Sequence, residues 1–106
     1  MPRAPSVASY TRRLSREDAD TGSVLIEKSR WRMFPAPQEE FAVLVGDQEF
    51  HTCIVAEECD CVPPPHQHYH LEAGHFRHLL DFRPGASLTI ERLPDADARS
   101  GRYRVT

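Results

Sequence analysis

The chain has 106 residues, is 40% apolar and carries a formal net charge of −3. That is enough apolar material for one hydrophobic core and too little for a second independent unit. The negative balance argues against nucleic-acid binding through bulk positive charge. No apolar run approaches the roughly 18 residues of a membrane span, and the start MPRAPSVASY lacks the apolar stretch of a secretory signal. A soluble, cytoplasmic protein is therefore expected. Three cysteines cannot all pair internally, and Cys59 and Cys61 stand too close for an easy bridge, so free thiols or metal-bound thiolates in a reducing compartment fit best. Twelve arginines against the single Lys28 suggest a GC-rich, bacterial genome.

Charge is unevenly placed. Residues 1–34 hold seven basic and four acidic residues, residues 35–64 hold seven acidic and no basic ones, and the remainder is nearly balanced. Residues 1–9 are small, proline-containing and aperiodic, and are expected to form a flexible tail before a single domain over residues 10–106. Tyr10 to Leu14 alternates weakly as a strand, and Glu17 to Gly22 has the composition of an exposed loop. Ser23 to Glu27 is a short β-branched strand. Ser29 can cap a brief helix over Arg30 to Phe34, which Pro35 and Pro37 must stop.

Phe41 to Val45 and Phe50 to Ala56 read as a hairpin turning at Gly46-Asp47-Gln48. A polar loop with three consecutive prolines then leads stiffly into His66. From there His66, His68 and His70 alternate with Gln67, Tyr69 and Leu71, as on the two faces of a strand. A helix from Glu72 or Ala73 to Leu80 would bury Phe76, Leu79 and Leu80. Ala86 to Arg92 alternates with Leu88 and Ile90 inward, and Tyr103 to Val105 closes the sheet. Seven short strands with two short helices and no long crossover argue for a sandwich or barrel and against a parallel βαβ sheet.

Several strings in this order resemble the B3-type DNA-binding pseudobarrel of plant transcription factors and of effector domains in some type II restriction endonucleases. At the front stand Leu14-Ser15-x-x-Asp18, Gly22, Leu25-Ile26-x-Lys28 and Phe34-Pro35. At the back stand Tyr69-x-Leu71-x-x-Gly74-x-Phe76 and Pro84-Gly85. The resemblance runs from about Arg12 to Val105. It departs from the pattern where His75 replaces the usual Trp, Glu27 a common Pro, and Ala86 the Asp after the Gly. The resemblance implies a mainly β, seven-stranded open pseudobarrel with two short helices, which recognises double-stranded DNA through two arms without catalysis of its own. A protein partner such as a nuclease would supply any cleavage.

By that analogy the first arm is the strand-loop from Arg12 to Gly22 and the second is the strand centred on His66 to His70. Arg12, Arg13 and Arg16 suit phosphates or guanine edges, Ser15 and Thr21 can donate to phosphate, and Gln67 can read adenine. His66, His68 and His70 stand where arginine or lysine would be expected, and neutral imidazoles release few counterions.

The rival reading is a zinc-stabilised β domain that mediates protein contacts. Cys59 and Cys61 would supply thiolates and His66 and His68 imidazoles, a tetrahedral set, although C-x-C is not the usual C-x2-C spacing. Cys53 is expected as a small buried strand residue, Trp31 as a core anchor, and His75 and His78 as a solvated face. A Cys-His nucleophile from Cys59 or Cys61 lacks any accompanying oxyanion motif, so no enzymatic activity is expected. A third reading is a protein-interaction adaptor using the acidic middle hairpin.

Overall fold

A computed structural model describes residues 9–59, 66–93 and 102–106. The expected tail lies outside the described residues except for Ser9, which opens the first strand. The strands are β1 (Ser9–Arg13), β2 (Ser23–Ile26), β3 (Phe41–Val45), β4 (Gln48–Thr52), β5 (Ile54–Cys59), β6 (His66–Glu72), β7 (Ser87–Arg92) and β8 (Arg102–Val105). Two sheets form, a five-stranded one ordered β1-β7-β8-β3-β4 and a three-stranded one ordered β2-β6-β5. Among the described residues they do not join into a closed barrel, so the architecture is the open pseudobarrel. No helix among those residues is long and apolar enough to cross a membrane.

Among the described residues the strand count rises from seven to eight because the expected strand Phe50–Ala56 is two. Thr52 and Ile54 are both buried, so alternation runs on unbroken through Cys53. The hydrogen-bond partner nevertheless changes there: β4 pairs with β3, and β5 pairs with β6. The Thr52 hydroxyl donates to the carbonyl of Glu72 and the Glu72 amide to the carbonyl of Cys53, which pins the corner where the chain changes sheets. Cys53 is a free thiol, half-buried at this corner and outside any strand.

The expected loop from Glu17 to Gly22 is instead a short helix, α1 (Arg16–Thr21). Ser15 accepts from the Asp18 amide, and the Asp18 carboxylate accepts from the Ser15 amide, so a capping box starts the helix. Gly22 ends it with a left-handed φ of 73°. The helix expected over Arg30 to Phe34 is a 3-10 helix at Lys28–Met33, with Glu27 and not Ser29 at its cap position and no side-chain cap bond. It ends before Pro35, as the prolines require. The second expected helix shrinks to one 3-10 turn, Arg77–Leu79, because β6 continues through Glu72. Phe76 is fully buried there, but Leu79 is 39% exposed. Leu80 is partly buried and packs against the core, so of the three apolar side chains the short turn leaves only Leu79 exposed.

The core draws on both sheets, with Val24, Val43, Leu71, Phe76 and Val105 having no exposure. Phe34, Phe41 and Tyr103 form an aromatic centre with ring centroids 4.9–6.2 Å apart. The Tyr103 hydroxyl donates to the carbonyl of Met33 at 2.6 Å, and the Tyr10 hydroxyl to that of Leu25 at 2.8 Å. Burial pushes both phenols above their ordinary pKa, consistent with hydroxyls that stay protonated as donors. The last strand lies inside the larger sheet, parallel to β3 and antiparallel to β7.

Candidate nucleic-acid interface

The three-stranded sheet organises the site. Val24, Ile54 and Leu71 sit side by side in register and are buried in the core. One residue on, Leu25, Val55 and His70 are paired across the three strands. Successive strand residues point to opposite faces, so this row belongs to the outer face, with His68 and its register partner Glu57. His70 places Nε2 3.9 Å from a Glu57 carboxylate oxygen. The His68 and His70 rings lie 6.4 Å apart. Gln67 is exposed.

The expected first arm leads into this sheet at β2, and the expected second arm is β6 itself. Ser23, directly after α1, is level with Glu72, whereas Ile26 is level with Tyr69 near the start of β6. From Glu72 to His66 the strand spans about 20 Å at roughly 3.3 Å per residue. A face of that length can span a major groove about 12 Å wide.

In the first arm the proposed contacts divide into two kinds. Arg12 is mostly buried and donates from Nε to Asp18 at 2.7 Å, with side-chain exposures of 18% and 4%. For Asp18, burial alone would raise the pKa. Hydrogen bonds from Arg12 and the Ser15 amide, with the Arg12 charge, outweigh it and hold the carboxyl below its ordinary range. Arg12 and Asp18 therefore brace β1 against α1. Ser15 caps the helix, and the Thr21 hydroxyl donates to the carbonyl of Glu17 at 2.8 Å. Arg13 and Arg16 are exposed. Arg13 reaches the carbonyl of Gly85 only at 3.4 Å, and Arg16 forms no ion pair with another described residue. Across the C-terminal end of α1, Arg77 donates to the carbonyl of Ala19 at 3.1 Å.

Of the zinc set, Cys61 lies outside the described residues. Cys59 and His66 are register partners at the open end of β5–β6, and His68 is opposite Glu57. Among the described residues no three His, Cys, Asp or Glu converge as a metal site would require. His75 and His78 are exposed.

Sequence reasoning missed what surrounds Trp31. This residue packs against the core but is only partly buried, and its ring stacks on Tyr69 with centroids 3.8 Å apart and planes 8° apart. Its indole N–H donates to the carbonyl of Ile26 at 3.0 Å. Beside it an open groove is lined by Lys28, Trp31, Gln67 and His68.

The two sheets and their strand order form a B3-like open pseudobarrel. No protein-family model matches the sequence, and no curated protein does. A solved structure described as an Arabidopsis FUS3-DNA complex is similar with a TM-score of 0.62 at 14% identity, over 91% of this chain and 93% of the other.

Proposed function

We propose that this domain recognises double-stranded DNA through two arms, the β1–α1 segment and the start of β6, without catalysis of its own. The observation that carries this is the likeness of nearly the whole chain to a protein solved on DNA. The arms offer the two kinds of contact recognition needs. Arg13 and Arg16 are exposed cations for phosphate, while Gln67 and His68 are hydrogen-bonding groups for base edges. Arg12, Ser15 and Thr21 hold the first arm in shape. His66 and His70 complete the second arm's strand. Any cleavage linked to recognition would come from a partner such as a nuclease.

With few free cations, affinity at neutral pH should be modest and its salt slope shallow. A duplex titration between about 25 and 200 mM salt tests this. A negative slope of log K against log salt supports the proposal, and an absence of duplex binding at the lowest salt overturns it.

A further inference from the structure

We propose that the first 3-10 helix is a third DNA-contacting element, in which Lys28 takes a backbone phosphate of the strand read by the second arm. This rests on the DNA-recognition reading and extends it to a residue outside both arms. The groove between this helix and β6 has a volume of about 610 Å3, and its lining joins Lys28 and Trp31 to Gln67 and His68. Chain geometry explains the meeting. Ile26, the last residue of β2, is level with Tyr69 in an antiparallel pair, and the chain leaves it directly into the 3-10 helix, so Lys28 lines the same groove as Gln67 and His68.

Trp31 is the positioning residue. Its N–H is anchored on the carbonyl of Ile26 and one face of its ring is stacked on Tyr69. The Lys28 ammonium lies 6.0 Å from the ring centroid, within the range of a cation–π contact. That contact localises the charge of a long, exposed side chain at the groove instead of leaving it to sample solvent. Glu27 lines the same groove, so its carboxylate works against an incoming phosphate. Arg30 and Arg32 are exposed on the same helix and form no ion pair with another described residue. The helix therefore adds positive charge beside an outer face that carries His68, His70 and Glu57.

Lys28 is the chain's single lysine and Trp31 its single tryptophan, which makes the groove separately observable. Tryptophan emission should change on adding duplex, and duplex should protect Lys28 from acetylation read by mass spectrometry. Lys28→Gln should lower the salt slope by about 1, which at 0.1 M salt weakens binding about 8-fold for every duplex sequence. Glu27→Gln should tighten binding, and Arg104→Gln, in the other sheet, should change neither affinity nor slope. Duplex binding with unchanged Trp31 emission, an unprotected Lys28 and an unchanged slope in Lys28→Gln would overturn this contact and leave the two-arm reading standing. No binding by the wild-type chain would remove both.

Discussion

Replacing Asp18 tests whether the first arm is a built structure. Asp18 is 3% exposed, accepts from Arg12 at 2.7 Å and from the Ser15 amide at 3.0 Å, and starts α1. Asp18→Ala strands a mostly buried guanidinium and removes the acceptor of the Ser15 amide. Losing one partner of a buried pair costs about 3–5 kcal/mol and losing a cap about 1 kcal/mol. Arg12 keeps some solvent at 18% side-chain exposure, so the expected loss at pH 7 is about 2–4 kcal/mol. Asp18→Asn retains an acceptor without the charge and should lose less. Because the folded-state pKa is depressed, the stability from ionised Asp18 is fully present above the unfolded value near 3.9 and is lost as pH falls through the lower folded value. The wild-type and Asp18→Asn curves should therefore converge on acidification below about pH 4. Urea denaturation of the three proteins across that range is the assay. A loss under about 0.5 kcal/mol in Asp18→Ala, or a gap to Asp18→Asn that ignores pH, would refute the brace.

Phe76→Ala should cost about 3–5 kcal/mol, because its ring is fully buried and 5.6 Å from that of Phe50; a loss under about 1 kcal/mol by chemical denaturation would contradict its core position. Arg13→Ala with Arg16→Ala should lower the salt slope of duplex binding by about 2 without changing the melting temperature, whereas Arg12→Ala should lower both affinity and melting temperature because it also breaks the Asp18 brace. Chelator should leave the melting temperature unchanged if Cys59, Cys61, His66 and His68 hold no metal, and a chelator-induced drop would favour the zinc reading.

How far the fold could be read from the residues varied with the physics of each element. Phe41 to Val45 is a short apolar run and Leu88 to Ile90 an alternation, each because the strand meets the core, and both strands are where those patterns put them. The change of sheet at Cys53 left no mark in the pattern, since Thr52 and Ile54 share a parity and only their partners differ. Helix α1 was hidden by a sequence whose one apolar residue, Ala19, makes no stripe, yet its Ser15-x-x-Asp18 capping box was a readable signal. Likewise, Arg12 read as a phosphate ligand because its charge is visible in sequence, while its burial against Asp18 is a property of packing. The Trp31–Tyr69 stack joins two segments far apart in the chain, and no local spacing encodes it.

Amide chemical-shift mapping on the folded domain, titrated with duplex DNA, tests the two-arm interface most directly. Two-arm recognition predicts the largest changes at Arg13 to Arg16 and at Gln67 and His68, with β8 of the larger sheet unperturbed. Changes concentrated on the acidic hairpin β3–β4, or none at all, would contradict it.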